Sequence, residues 1–389
     1  MNTKGTLGVL VFILCVICIF HIYQSSELSF SSRGNIIEED GDEDFSSTSV
    51  LSSYDSSDPD QTNEKDRPEN SLSGPYNEHF HEQQEEDFYQ HLKDRISHLE
   101  APNSLYYQHH LERQRQRHAQ LASTCSTMKK QSFSLSDMSR NQKNIWVNDK
   151  YKFVYCATPK AACTSWKSVL LVLDGIATST DQFSQKTINS KSGVWMKQLW
   201  RYSDEEQKDI MKTYTKFMFS RNPFSRVLSA FQNKLAPNST FERALKWQVN
   251  LGRKIITRYR NRPQRNKPYD LKFSEFGRYI SDPSVHSFNK HWSLQYLQCR
   301  PCDLDYTILG HFETLEEDSK FILKVIGAEN VVSFPSSNHS SPTNSSNESI
   351  FTSNYNTLSF DELKNLYEVY RKDFEMFGYP VPERLVGKV

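Results

Sequence analysis

Glycine is scarce in this chain, and neither sign of charge is in excess. Thirteen glycines in 389 residues argue against an all-β sandwich built on glycine turns. The 47 lysines and arginines are matched by 47 aspartates and glutamates, so the formal charge is zero. With 37% hydrophobic and 13% aromatic residues, the composition also excludes a fully disordered, collagen-like or multi-spanning membrane protein.

The charge is balanced overall but divided unevenly along the chain. Residues 1–140 carry 12 basic and 22 acidic side chains, whereas residues 141–389 carry 35 basic and 25 acidic ones. This split indicates two regions with different roles. The second region, about 250 residues, is long enough for one large α/β domain with its own core.

An uncharged apolar run occupies residues 5–23. Its length matches the roughly 20 residues that a helix needs to cross a bilayer core. Lys4 precedes the run and no small-x-small cleavage pair follows it. We therefore predict a cytoplasmic tail at residues 1–4 and an uncleaved type II membrane anchor at 5–23, with a cleaved signal peptide as the alternative.

Residues 24–124 have the composition of a solvated, disordered stem. Between residues 34 and 63 there are nine acidic residues and no lysine or arginine, which leaves too little apolar surface to form a core. Further along, apolar residues recur at helical spacing: Phe88, Leu92, Ile96 and Leu99. We interpret this stretch as a frayed stem helix, with a self-associating helix, and hence a homo-oligomer, as the alternative.

Glycosylation sequons and cysteines indicate the compartment of the second region. The four sequons are at Asn238, Asn338, Asn344 and Asn347. Three of them share a Ser/Asn-rich stretch, which predicts a surface loop in the lumen of the secretory pathway.

The cysteine count outside the apolar run is odd. The five cysteines there are Cys125, Cys156, Cys163, Cys299 and Cys302, so at least one is unpaired or pairs between chains. Cys299 and Cys302 have the spacing of a redox or zinc pair, but no second pair with finger spacing lies nearby. A structural disulfide or packed thiols are therefore favoured.

The first chemical motif follows a predicted buried strand at residues 151–156. Pro159 ends the strand, Lys160 and two small residues follow, and a helical apolar pattern begins at Trp166. A strand, a loop with a lysine and a helix N-terminus together form a cradle for an anion. The glycines of a Walker loop are absent, which disfavours a nucleotide kinase. The alternative is an ordinary turn with a chance lysine.

The second motif follows a second predicted buried strand at residues 216–220. Arg221 lies at its carboxyl end, where open α/β sheets bind their ligands. A helical stripe follows, with Ser229 eight residues beyond the arginine. A strand-end arginine can bind a phosphate bidentately, although many are only solvated charges.

Four blocks in order, at residues 158–167, 220–234, 288–323 and 366–379, resemble the Golgi carbohydrate sulfotransferases. The resemblance is closest to the chondroitin and dermatan 4-O-sulfotransferases and covers nearly all of residues 125–385. It implies a P-loop-like α/β sulfotransferase fold with a central parallel sheet at residues 125–389.

The resemblance also implies the donor, 3′-phosphoadenosine 5′-phosphosulfate, and the residues that bind it. The 5′-phosphosulfate loop would comprise Pro159, Lys160, Ala161, Ala162, Cys163, Thr164 and Ser165. The 3′-phosphate segment would comprise Arg221, Asn222, Pro223, Phe224, Ser225, Arg226, Val227, Leu228 and Ser229. Lys160 would act on the bridging oxygen, and Arg221 and Ser229 would contact the 3′-phosphate directly.

Sulfuryl transfer places charge on the leaving oxygen, which a cationic loop can neutralise, so we predict no metal. A general base would activate the sugar hydroxyl. The candidates are His286, His291, His311, Glu313 and Asp318. We favour His291, which is followed by Trp292, with Glu313 second; a capping or surface histidine is the structural alternative.

A basic run at residues 253–267 holds seven basic residues in fifteen and no acidic one. It predicts an anionic glycan acceptor, with Arg258, Arg260 and Arg262 as contacts, because a solvated face mixes both signs. Nucleic acid is not expected as a partner of a luminal protein. We therefore predict a type II Golgi enzyme that sulfates a hydroxyl, such as O-4 of N-acetylgalactosamine, in chondroitin/dermatan-type glycans. The alternatives are a related sulfotransferase with another glycan or position, and a catalytically silent luminal glycan-binding protein.

Overall fold

The computed structural model describes residues 47–48, 90, 92–97, 99, 101–129, 132–265, 267–335 and 343–389. The predicted anchor at 5–23 and most of the predicted stem lie outside these ranges. Within the ranges, no helix has both the length and the apolar character required to cross a bilayer.

Seven strands and fourteen α-helices are found in the described residues. The strands are β1 (Ser47–Thr48), β2 (Ile145–Asn148), β3 (Phe153–Cys156), β4 (Lys197–Gln198), β5 (Thr215–Ser220), β6 (Phe288–Asn289) and β7 (Ile308–His311). The helices are α1 (Leu105–Thr127), α2 (Leu135–Gln142), α3 (Cys163–Leu173), α4 (Gln185–Trp195), α5 (Asp204–Thr213), α6 (Pro223–Ala230), α7 (Ala244–Trp247), α8 (Arg253–Tyr259), α9 (Arg262–Arg265), α10 (Phe273–Ser281), α11 (Gln295–Cys299), α12 (Leu315–Val325), α13 (Glu348–Tyr355) and α14 (Phe360–Met376).

Five strands form one sheet in the order β4-β2-β3-β5-β7. The pairs β3–β5 and β5–β7 are parallel, whereas β2 is antiparallel to both β3 and β4. The predicted α/β architecture with a central sheet is therefore confirmed. The sheet was predicted to be parallel, and β3, β5 and β7 are parallel, whereas β2 and β4 add two antiparallel pairs. Because β3, β5 and β7 are parallel, their carboxyl ends meet at one edge of the sheet, and the loops that follow them lie together.

Both faces of the sheet are covered. Phe217 and Phe219 of β5 join one apolar cluster with Trp166 of α3, whereas Met218 joins a second cluster with Phe224 of α6. This alternation follows from the strand period of two. All six residues of β5 are buried, as expected for a parallel strand with helices on both sides.

Helix α1 extends the folded region to the N-terminal side of residue 125. Gln114 pairs with both backbone groups of Leu309, accepting from its N–H at 2.8 Å and donating to its carbonyl at 3.1 Å. Since β7 is at the end of the sheet, this amide covers an edge that would otherwise expose backbone groups. Arg117 adds an ion pair to buried Asp318 at 2.8 Å. Helix α1 thus spans the predicted boundary between stem and domain at residue 125 and packs on the sheet.

The prediction of a frayed stem helix also differs from the structure. Leu92 is fully buried and Ile96 is 2% exposed, and both join the cluster around Trp166. Their helical spacing was identified correctly, but the apolar face packs on the domain, which supplies the burial that three isolated turns lack.

Two disulfides link distant parts of the domain, Cys125–Cys302 and Cys156–Cys299. Cys163 is the free cysteine among the described residues. The prediction left open structural disulfides or packed thiols, and at least one cysteine that is unpaired or pairs between chains; the structure has two disulfides and one unpaired cysteine among the described residues. The neighbouring Cys299 and Cys302 do not pair with each other. Cys299 is disulfide-bonded to Cys156 of β3, and Cys302 is disulfide-bonded to Cys125 of α1.

Candidate functional site

The loop between β3 and α3, residues 157–162, has an unusual backbone. Lys160 and Ala162 adopt left-handed conformations, with φ of 69° and 62°. Non-glycine residues in this region carry a cost of ~1–3 kcal/mol and tend to mark ligand-binding turns. Ala161, between them, is fully buried, and Lys160 is half-buried. The small residues of the motif thus let the chain turn tightly at the end of β3.

Helix α3 begins directly after this loop. Its N-cap is Ala162, which offers no side-chain cap to the first turn. Thr164 and Ser165 lie half-buried in that turn, beside the free thiol of Cys163. Backbone N–H groups and hydroxyls at a helix N-terminus form an arrangement suited to an anion.

Arg221 follows β5 and lies against the β3–α3 loop. Its Nη1 donates to the Lys160 carbonyl at 2.9 Å, and its guanidinium carbon lies 3.9 Å from the centroid of the Phe312 ring. Arg221 is 5% exposed, and burial lowers the pKa of its side chain to about 10, so it stays cationic at neutral pH. Its Nε has no hydrogen-bond partner in the described part of the chain. A buried cation with an unsatisfied donor suits an anionic ligand.

Arg226 has a different position. It is fully buried, and its guanidinium donates to three backbone carbonyls, those of Pro159 (2.9 Å), Ser293 (2.6 Å) and Lys290 (2.8 Å). These contacts tie the β3–α3 loop to the segment after β6. Arg226 was predicted to bind the donor; in this structure its guanidinium holds three backbone carbonyls.

The rest of the 221–229 segment divides between capping and core. Asn222 is the N-cap of α6, and its side chain accepts from two backbone N–H groups at 3.1 Å. Ser225 is half-buried, and Ser229 is 2% exposed. Four further residues of the segment are buried in the core: Pro223, Phe224, Val227 and Leu228.

His291 lies next to the carbonyls that Arg226 holds. It is 7% exposed, and its Nδ1 lies 2.6 Å from Asn289 Oδ1. Because an amide oxygen only accepts, Nδ1 must donate, which places the imidazole lone pair of the neutral ring on Nε2. This tautomer suits a general base. The ring also packs edge-on against Trp247.

The other predicted bases have structural roles or exposed positions. Glu313 accepts from the Asn222 N–H and from the Tyr379 hydroxyl, both at 2.9 Å, beside Arg221. Asp318 is fully buried and paired with Arg113 and Arg117. Burial, together with the charges of Arg117 and Arg113, holds the pKa of His311 well below its ordinary value. His286 is exposed.

The predicted glycan-binding arginines of the basic run are mostly neutralised. Arg258 pairs with Asp282 at 2.8 Å, and Arg260, 8% exposed in its side chain, pairs with Asp270 and Glu275. Only Arg262, of the three, is exposed without an ion pair among the described residues. The run carries no acid of its own, but acidic residues from the following segment fold back onto it.

A cleft of about 370 Å³ lies beside this run. Its lining includes four cationic and two acidic side chains: Arg260, Lys267, Lys272, Arg278, Asp270 and Glu275. The residues that line this cleft lie between positions 259 and 278, and none of them belongs to the β3–α3 loop.

The predicted sequons lie at the surface where they are described. Asn238, Asn344 and Asn347 are exposed, and Asn338 lies outside the described residues. Asn347 is also the N-cap of α13, accepting from the Ile350 N–H at 3.2 Å. In the described ranges there is no group of three His, Cys, Asp or Glu residues arranged to hold a metal ion.

Several residues at this site carry no signal in the sequence. Gln295 exchanges two hydrogen bonds with the Arg221 backbone, and Asp373 accepts from the N–H groups of Gln295 and Tyr296. Burial raises the pKa of Asp373 to about 6. Residues 343–346 reach Arg221 and Ser229 from more than a hundred positions away. Contacts over such separations cannot be read from local patterns.

Comparison with known proteins places this geometry in context. A family model described as "Sulfotransferase family" matches residues 143–380. The chain is 34% identical to carbohydrate sulfotransferase 11 of Rattus norvegicus, over 69% of this chain and 76% of the rat protein. It is 33% identical to carbohydrate sulfotransferase 10 of Gallus gallus, over 62% of this chain and 68% of that protein. It is 35% identical to carbohydrate sulfotransferase 14 of Danio rerio, over 64% and 66%. No solved structure matches the chain.

Proposed function

The chain belongs to the sulfotransferase family, and we propose that it transfers a sulfuryl group from 3′-phosphoadenosine 5′-phosphosulfate to a glycan hydroxyl. The observation that carries this proposal is the convergence of three segments through Arg226. Its guanidinium joins the β3–α3 loop at Pro159 to the His291 segment at Lys290 and Ser293. The proposed donor loop and proposed base are thus held by one buried side chain.

The donor fits the charges of the site. Lys160 and the N-terminus of α3 supply positive potential for the 5′-phosphosulfate, with Lys160 on the leaving oxygen. Arg221, with its unpaired Nε, and Ser229 take the 3′-phosphate. As in phosphoryl transfer, the chain's work is to position the reactants and stabilise charge. This mechanism needs no metal ion.

His291 is the proposed general base. Asn289 fixes the tautomer whose Nε2 can accept the proton of the acceptor hydroxyl. Glu313 is the second candidate, but its two contacts tie it to the Asn222 and Tyr379 side of the site, next to Arg221. A carboxylate there is better placed to hold the end of β7 against α6.

The proposed acceptor is an anionic glycan of the chondroitin/dermatan type, sulfated at O-4 of N-acetylgalactosamine. The basic run supports an anionic acceptor through its exposed cations Lys254, Arg262 and Lys267. The specific glycan and position come from the resemblance of the four sequence blocks. The proposed location is the Golgi membrane, with the tail at residues 1–4, the anchor at 5–23 and the catalytic domain in the lumen.

The test is to incubate the purified full-length chain with ³⁵S-labelled donor and a panel of desulfated glycans, followed by disaccharide analysis. We expect label at O-4 of N-acetylgalactosamine in chondroitin or dermatan. Label on another position or glycan would instead identify a related sulfotransferase. Glycan binding with no donor binding would identify a silent glycan-binding protein.

A further inference from the structure

Residues 343–346 lie against the two side chains that the proposed function assigns to the 3′-phosphate. Arg221 Nη2 donates to the hydroxyls of Ser345 at 2.9 Å and Ser346 at 2.8 Å. The hydroxyls of Ser229 and Thr343 are 2.9 Å apart. One short segment therefore contacts both ends of the proposed phosphate site.

The hydroxyls of this segment also join the two ends. Thr343 Oγ1 and Ser345 Oγ lie 3.1 Å apart, so a continuous chain of contacts runs from Arg221 through Ser345 and Thr343 to Ser229. Ser345 is 1% exposed and Ser229 is 2% exposed. Buried hydroxyls of this kind are retained where each of them has a hydrogen-bond partner.

These hydroxyls still hold protons that their own contacts do not use. A guanidinium only donates, so Ser345 and Ser346 accept from Arg221 and keep their own protons. Ser229, Thr343 and Ser345 carry three hydroxyl protons but make two contacts with one another. At least one proton of that chain, together with the proton of Ser346, is therefore available to a further acceptor. The buried Arg221 Nε–H adds another donor.

We propose that Thr343, Ser345 and Ser346 complete the 3′-phosphate site as hydroxyl donors beside Arg221 and Ser229, an inference that rests on the proposed function. A phosphate monoester presents three terminal oxygens, which can accept from the hydroxyls and the guanidinium together. The segment then contributes to selecting the 3′-phosphorylated nucleotide over one that lacks this group.

The test uses adenosine 3′,5′-bisphosphate and adenosine 5′-phosphate, which differ only in the 3′-phosphate, with the purified full-length chain. Isothermal titration calorimetry gives both dissociation constants for wild type and for Thr343→Val/Ser345→Ala. We expect the double variant to bind the bisphosphate about 10- to 100-fold more weakly, since hydrogen bonds to a charged group are lost. Affinity for adenosine 5′-phosphate should change by less than about threefold, the range of a surface substitution.

Ser346 needs a separate control because it is also the third residue of the Asn344 sequon. Ser346→Ala removes both the hydroxyl and the sequon, whereas Asn344→Gln removes only the sequon. We expect Ser346→Ala to weaken bisphosphate binding and Asn344→Gln to leave it unchanged. The melting temperature of each variant reports on folding.

Three results would overturn the inference. They are an unchanged discrimination between the two nucleotides, an equal loss for both nucleotides, and tighter bisphosphate binding, which would mean that the segment competes with the phosphate. A wild-type chain that binds no bisphosphate would contradict the proposed function, and this inference with it. Wild-type discrimination that survives in the double variant would contradict this inference alone.

Discussion

The proposed donor region (residues 157–165 and 221–229) and the basic run both contain arginines, but their arginines have different partners. Around the β3–α3 loop, Arg221 and Arg226 bind backbone carbonyls and hydroxyls. In the basic run, Arg258 and Arg260 bind carboxylates. A carbonyl partner leaves the positive charge of the guanidinium in place, whereas a carboxylate partner cancels it. Counting cations therefore identifies an anion site only when their partners are known.

The largest expected effect concerns Arg226 and stability. Arg226→Ala removes a fully buried side chain and one hydrogen-bond donor from each of three carbonyls, two of which keep a second donor in Gln298. We expect a loss of about 3–5 kcal/mol in the free energy of unfolding, from the cavity and the lost hydrogen bonds together. Denaturant unfolding measures this loss. Arg258→Ala, which removes an exposed pair, is the control and should leave the free energy of unfolding nearly unchanged. Equal losses in the two variants would remove the distinction between the regions.

Lys160 should have the next largest effect, on turnover. Lys160→Ala should lower kcat about 10²–10³-fold, the usual cost of losing one charge-stabilising group in an active site, while the fold is kept. A sulfation assay with saturating donor measures this change. The matched control is the exposed Lys191→Ala on α4, which should turn over normally. Near-normal turnover in a folded Lys160→Ala protein would contradict the role given to this lysine.

Arg221 should affect donor affinity more than stability. Arg221→Ala should weaken binding of adenosine 3′,5′-bisphosphate by about 1.5–3 kcal/mol, the range of a hydrogen bond to a charged group. Calorimetry with adenosine 5′-phosphate as the comparison ligand separates loss of the 3′-phosphate contact from a general loss of binding. If wild type binds both nucleotides equally well, Arg221 has no part in recognising the 3′-phosphate.

The local pattern of the donor region could be predicted because neighbouring residues determine it. The buried strands β3 and β5, the small residues after β3 and the helix starts at α3 and α6 all lie within short segments. The partners of Arg226 lie 64 to 67 positions away, and no local pattern indicates them. The sequence therefore predicted Arg226 as part of the site, but not its contacts with these three carbonyls.

The contacts of helix α1 and of the basic run could not be predicted, for the same reason. Gln114 covers the edge of β7 from 195 positions away, so its polar sequence was taken as a stem. Arg260 meets Glu275 fifteen positions later, outside the window in which the run has no acid. Composition predicts charge density, whereas tertiary contacts determine which charges remain unpaired.

The smallest expected effect separates exposed from neutralised cations within the basic run. If the run binds an anionic acceptor, Lys254→Ala/Arg262→Ala/Lys267→Ala should raise acceptor KM several-fold, at about 0.2–1 kcal/mol for each exposed charge pair. Donor affinity should not change, because the proposed donor residues lie at the carboxyl ends of β3 and β5. Added salt should mimic the triple variant, since the Debye length falls from about 10 Å at 0.1 M to about 3 Å at 1 M.

The matched control is Arg258→Gln, which removes a cation already paired with Asp282. If exposed charge alone attracts the acceptor, this variant should change acceptor KM less than each exposed substitution does. The acceptor KM and the donor KM of each variant, measured across a salt series, show whether exposed or ion-paired cations bind the acceptor. A triple variant with unchanged acceptor KM would mean that the basic run does not bind the acceptor. A larger effect from Arg258→Gln than from Arg262→Ala would mean that the ion-paired arginines exchange their carboxylate partners for the glycan.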